Sequence, residues 1–227
     1  MKYLNTLFTL LTTLALLAVM SVATASSSEE KSTEAESPWN GYLLMEGNAG
    51  GNDTLRNVKI GLGRSDGSSH RIYYAEWIDA SNDRPESLSG FGVTVPGAEY
   101  TSYRIGISNP LPGSSSNSEK RTAVNLFIYS TETNMIVDKQ GIGLGMGVAS
   151  NPLGKSDIRL YGHLDLMPEW LSTNWSDTIL SEYEIKLGAT WKATRHLTVF
   201  TQWRTNGILD PGLTHYRALS LGVEAVF

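Results

Sequence analysis

The 227-residue chain contains no cysteine. That excludes a disulfide framework, a thiolate metal site and the lipidated cysteine of a lipoprotein. Beyond Ala25 no apolar run approaches the roughly 20 residues a membrane-crossing helix needs, so no transmembrane helix is expected in the rest of the chain. Basic residues are not in excess, since 18 Lys and Arg stand against 23 Asp and Glu for a formal charge of −5. A phosphate backbone needs a basic surface, so nucleic acid is not an expected partner. The four histidines, His70, His163, His196 and His215, fall on different segments without ligand spacing. The glycine run Gly141 to Gly147 reads G-x-G-x-G-x-G, which lacks the spacing and the following helix of a nucleotide fingerprint. Neither a metal nor a cofactor is expected.

What the sequence does have begins with Met1 to Ala25, where Lys2 precedes an apolar stretch that ends in Ala23-Thr24-Ala25. This is the layout of a secretory signal peptide cleaved after Ala25, the alternative being an uncleaved anchor. Cleavage would leave 17 basic against 23 acidic residues, a formal −6. Residues 26–38 are polar and charged and are expected to form a disordered lead-in.

From Trp39 onward the texture is short alternating runs broken by Gly, Ser, Asn, Asp and Pro, the pattern of many strands. The last run sets the reading for the rest. In Arg217 to Phe227, Leu219, Leu221, Val223, Ala225 and Phe227 share one face and Ser220, Gly222 and Glu224 the other. One face suits lipid and the other water. Ten such runs are predicted: Trp39 to Glu46, Asn57 to Arg64, His70 to Asp79, Glu99 to Ser108, Thr122 to Ser130, Gln140 to Ala149, Asp157 to Met167, Glu182 to Lys192, His196 to Thr205, and Arg217 to Phe227. The fold class is therefore all-β, a transmembrane antiparallel up-and-down barrel of about ten strands, with eight to twelve allowed, over residues 39–227. Gly90 to Val95 is placed in a loop hairpin.

Short connections at Ser65 to Ser69, Ser150 to Ser156 and Ala193 to Arg195 fall on one side of such a barrel, with Asn109 to Arg121 as a longer exception. Long ones at Ala80 to Ala98, Pro168 to Ser181 and Asn206 to Tyr216 fall on the other, the asymmetry of an outer-membrane barrel with both ends in the periplasm. Expected partners are outer-membrane lipid and lipopolysaccharide on the outer face, and the barrel assembly machinery through a terminal signal of Leu221, Val223 and Phe227. Trimeric packing would require an outer patch, and the sequence offers no candidate. A soluble periplasmic sandwich or barrel is the competing fold, and in it the same apolar set would bury against protein.

Parity sorts the polar residues. In Gln140 to Ala149 an apolar stripe alternates with glycine, which fits a bare wall against which long side chains fill a narrow lumen. Arg159, His163 and Asp165 face inward on one strand, Glu182, Glu184 and Lys186 on the next, and Arg204 and Glu224 on the last two. Both signs therefore meet inside the second half of the barrel, as a salt-bridged plug or as a selective aqueous path. His163 and Asp165, two apart and set toward the extracellular rim, also have the form of an oriented general base. A hydrolase built on them needs another group, for which the loops offer Asp83, Asp177 or Asp210. A surface-binding role would use the loop Pro168 to Ser181.

Arg159-Leu160-Tyr161-Gly162, Pro168-Glu169, Leu171-Ser172, Tyr183-Glu184, Gly188-Ala189-Thr190-Trp191, Arg195 and Leu197-Thr198 resemble the YfaZ family of outer-membrane proteins. Ile60 to Gly63, Asn109 to Gly113 and Val223 to Phe227 are similar in kind. The resemblance implies a small, porin-like outer-membrane barrel with no established substrate and no catalytic residues to carry over. The strand holding His163 and Asp165 is less aromatic than the family pattern.

Overall fold

The computed structural model describes residues 39–50, 53–66, 69–83, 86–88, 93–95, 97–108, 122–134, 138–154, 156–173, 181–209 and 214–227. The expected signal peptide and lead-in lie outside the described residues, as does the Asn109 to Arg121 connection.

Ten strands close into one antiparallel barrel: β1 (Trp39–Gly50), β2 (Thr54–Asp66), β3 (Ser69–Asn82), β6 (Ala98–Ser108), β7 (Thr122–Thr133), β8 (Lys139–Ala149), β9 (Ile158–Met167), β10 (Glu182–Lys192), β11 (Leu197–Ile208) and β12 (Thr214–Val226). Each pairs with its neighbours in sequence, and β1 closes the ring on β12. The short β4 (Glu86–Leu88) and β5 (Val93–Val95) form a separate hairpin between β3 and β6, where a loop hairpin is expected. Alternation makes this sheet because a one-residue slip would turn every apolar side chain inward. Ile142, Leu144, Met146 and Val148 point out, Met146 being 66% exposed, while the intervening glycines line the inside. The exposed large apolar residues of β2, β6, β7 and β12 follow the same rule, so the buried core is the lumen and the outer surface is apolar.

At one end, the turn end, the described link between β10 and β11 is tight. Between β10 and β11 the Thr194 Oγ1 accepts from the backbone N–H of His196 and of Leu197. Between β8 and β9 Gly154 adopts φ +64°, a conformation glycine takes without steric cost. At the other end, the loop end, two connections are long, Asn82 to Ala98 and Met167 to Glu182.

The strands differ from expectation mainly at the loop end, where β1, β2, β3, β7, β11 and β12 each run three or four residues further than predicted. The extension shortens the expected Asn206 to Tyr216 loop to the link between Ile208 and Thr214. On β2, β3 and β12 the extended wall is packed from within, where Leu55, Ile78, Ala80, Tyr100, Tyr216 and Ala218 form one cluster, so pairing there continues after the outward apolar pattern has stopped. Near the loop end the link after β9 also folds against the wall. A 3-10 turn at Glu169–Leu171 leads to Ser172, which bridges to Gly141 and places its Oγ 2.7 Å from the Tyr129 hydroxyl.

Candidate functional site: the charged lumen

Glycine makes room for what fills the barrel. A Cβ on Gly143 would overlap the Phe127 ring, and one on Gly145 would overlap the Asp165 carboxylate. The bare wall of β8 is thus the space into which β7 and β9 project.

The centre of the lumen is a continuous hydrogen-bonded ion network. Arg104 from β6 places Nη1 2.6 Å from Glu184 Oε2 and 3.6 Å from Asp165 Oδ2. Arg204 from β11 donates through Nε to Glu184 Oε1 and lies 2.7 Å through Nη1 from Glu46 Oε2. Lys186 reaches both Asp165 at 3.4 Å and Glu184 at 3.3 Å. Tyr216 donates its hydroxyl to Glu184 Oε1 at 2.6 Å. Glu46 also accepts from Gln202, Ser220 and Asn57, and Asn57 donates on to Glu76 at 3.0 Å. Asp165 accepts from Asn125 at 3.1 Å, and Asn125 accepts the Tyr74 hydroxyl at 2.7 Å.

Burial of this kind is tolerated only where charges are paired and their remaining lone pairs are hydrogen-bonded. The charges balance: Glu46, Glu76, Asp165 and Glu184 face Lys59, Arg104, Lys186 and Arg204. The cations also lie on aromatic faces, with Lys59 Nζ 3.6 Å from the Tyr74 ring centre and Arg104 Cζ 5.0 Å from that of Phe127. Arg104, Arg204 and Glu184 are all but inaccessible, at 1%, 0% and 0% exposure. Tyr42, Ile72, Tyr74, Phe127, Tyr129 and Met167 form a second apolar cluster, with Leu44 and Val226 packed against it. Apolar packing and bonded charge thus both occupy the interior.

The expected inward residues do not all join the centre. Asp165, Glu184, Lys186 and Arg204 belong to it, and His163 touches it through Nε2, 2.9 Å from Asp165 Oδ1. Glu182 is buried nearer the loop end, 3.3 Å from Lys139 Nζ. Arg159 and Glu224 lie toward the turn end and are half-buried; Glu224 shares a hydrogen bond with Tyr42. Outward, Leu221 and Phe227 are exposed at 55% and 60%, and Val223 is half-buried beside them.

Two expectations change. The charges meet across the whole barrel and not in its second half alone, because Glu46, Lys59, Glu76 and Arg104 come from the first four barrel strands. Those four sit on the inward parity of runs already recognised as strands, which is the signal that would have found them. The second change concerns the His163 and Asp165 pair, which is not at an open rim. Strand stagger sets Asp165 opposite Gly145, well below the loop end of β8, where it is inaccessible and engaged by Asn125, Lys186 and Arg104. Asp177 and Asp210 lie outside the described residues.

No family model matches the chain, and no curated protein does. Among solved structures it is similar to the translocator domain of autotransporter NalP from Neisseria meningitidis, at 9% identity and a TM-score of 0.39, covering 95% of this chain and 96% of that one. The toluene transporter TodX of P. putida gives 10% identity and 0.32, covering 84% and 78%. Outer-membrane expressed OmpT of Vibrio cholerae gives 9% and 0.30, covering 82% and 61%. Such likenesses carry nothing about activity. The closed ten-stranded barrel stands on its own pairing.

Proposed function

We propose that this is a small outer-membrane barrel of the YfaZ type, a structural or porin-like envelope protein whose charged waist passes at most small solutes. The observation that carries the reading is the combination of an apolar exterior with an interior in which charges of both signs are buried and paired. The exterior cannot face water over so large a continuous area without association, whereas lipid accepts it. In this reading the turn end faces the periplasm, the outer face meets phospholipid and lipopolysaccharide, and Leu221, Val223 and Phe227 present the assembly signal. A hydrolase based on His163 and Asp165 has less support, because a carboxylate shared with a lysine, an arginine and an amide is already committed.

The test is single-channel conductance of the refolded chain in a planar bilayer, beside a Glu184→Ala, Lys186→Ala double variant that removes one charge of each sign. The expected result is silence or very small steps for the native chain, and larger steps of altered ion selectivity for the variant. Large stable native steps that the variant leaves unchanged would overturn the plug.

A further inference from the structure

The buried network is balanced in charge but not in hydrogen bonding. A carboxylate offers about four lone-pair sites. Glu46 fills them with Gln202 and Ser220 on one oxygen and Asn57 and Arg204 on the other. Glu184 meets Arg204 and Tyr216 at Oε1, and Arg104 and Lys186 at Oε2. Asp165 meets Asn125 and His163 at Oδ1, and Lys186 and Arg104 at Oδ2. These three acids are saturated. The remaining acid, Glu76, stands directly opposite Lys59 in the register of β2 and β3.

The arginines are not saturated. A guanidinium carries N–H donors on all three nitrogens and accepts nothing. Arg104 bonds through Nη1 alone, and its Nε and Nη2 are buried without a hydrogen-bond partner among the described residues. Arg204 keeps Nη2 in the same condition. The two groups hold opposite oxygens of Glu184, which sets them at one level of the lumen. Phe127 lies by the face of Arg104 and Tyr216 by that of Arg204, so the open part of each is its in-plane N–H edge. The unbonded acceptors beside them, Asn57 Oδ1 and His163 Nδ1, belong to an amide and an imidazole.

A buried donor without an acceptor is costly, and an ion entering a narrow passage exchanges its hydration for wall groups. The contact from Arg104 to Glu184 crosses the lumen from β6 to β10, so a solute that traverses the barrel must pass it. A cation arriving there meets three carboxylates whose lone pairs are taken. An anion meets charged donors that are still open.

We propose that the lumen is selective for small inorganic anions, and that the open N–H edges of Arg104 and Arg204 are the groups that take the ion. This rests on the porin-like reading above and names its solute. Arginine suits the role because its rigid fork keeps some donors directed outward while a carboxylate holds the others.

The experiment reads ion entry into vesicles holding the refolded full chain, with iodide followed by quenching of a trapped halide-sensitive dye and thallium by a trapped thallium-sensitive one. Iodide entry above that of protein-free vesicles is expected, exceeding thallium entry by roughly tenfold or more, the scale of one hydrogen bond to a charged group. Arg104→Lys with Arg204→Lys keeps both charges and removes both forks, and should lower iodide entry several-fold. Should the double variant fail to insert, Arg104→Lys alone carries the same expectation at smaller size. Equal or faster entry of thallium would overturn the anion selectivity, and iodide entry unchanged in either variant would overturn the assignment to the arginines. An inserted chain that admits neither ion would overturn both and leave a structural envelope protein. A chain that remains soluble without detergent and never enters vesicles would instead overturn the membrane reading, and the anion path with it.

Discussion

Arg104 on β6 reaches across the lumen to Glu184 on β10, with three strands between them round the wall, and closes to 2.6 Å. Arg204 holds the other oxygen of the same carboxylate, so one acid serves two buried guanidinium groups. Glu184→Ala would leave Arg104 with only the longer contact to Asp165 and Arg204 with Glu46 alone, both guanidinium groups still buried. A loss of about 3–5 kcal/mol is expected, as for breaking a buried ion pair by removing one partner. Urea unfolding in vesicles, followed by tryptophan fluorescence, measures it. Glu184→Gln keeps an acceptor and should lose less.

Gly143 lies under the Phe127 ring with no space for a methyl group. Gly143→Ala is expected to cost about 1–3 kcal/mol as an overpacked interior. Phe127→Ala opens a cavity and is expected to destabilise on its own. Combining the two should cost less than the sum of the singles, because the methyl then occupies space the ring has left. An additive double-mutant cycle would show that the glycine stripe is there for another reason.

Val223 sits on the outward face of β12, between Leu221 and Ala225 and across from Met45 and Val199. Val223→Arg puts a charge near the middle of the apolar band, where about 2–4 kcal/mol is the known scale of the penalty. Folding yield into vesicles should fall sharply, while Ser220→Thr on the inward face should be mild. Normal detergent-dependent folding of Val223→Arg would mean the strand faces the other way.

Phe227 and Gly41 exchange backbone hydrogen bonds across the seam, and the Phe227 ring lies where a Gly41 Cβ would go. Gly41→Val is therefore expected to displace the ring and weaken closure. Heat-modifiability on a gel should show the folded band lost at a lower temperature than in the native protein.

The barrel was legible because its signal is local. Alternation along Leu219 to Phe227 or Ile142 to Val148 can be read without knowing any partner strand. The ion network was only half legible. Arg104 is 80 residues from Glu184, and Arg204 is 158 residues from Glu46, so no window of sequence contains both members of either pair. Parity placed the later charges inside, and the same rule applied to Glu46, Lys59, Glu76 and Arg104 would have completed the set. Strand stagger was the other hidden variable. Asp165 is two residues from the end of β9, which suggests a rim, yet its neighbour on β8 is Gly145, six residues from that strand's loop end. The loop-end extensions of β2, β3 and β12 had no outward pattern to announce them, since their packing is the Tyr100 and Tyr216 cluster within.

The pairing of β1 with β12 has a consequence for how this protein is made. Glu46 receives Arg204, Gln202 and Ser220 only when the two extremes of the barrel sequence meet, so a partial chain has no finished subdomain to fold into. Ring closure is a contact of the highest order, the kind that forms slowly and leaves unpaired edges exposed while it waits. A partial chain would carry its acids and bases hydrated and its apolar stripe bare. Until β12 is available, the edge of β1 that it will pair with stays open.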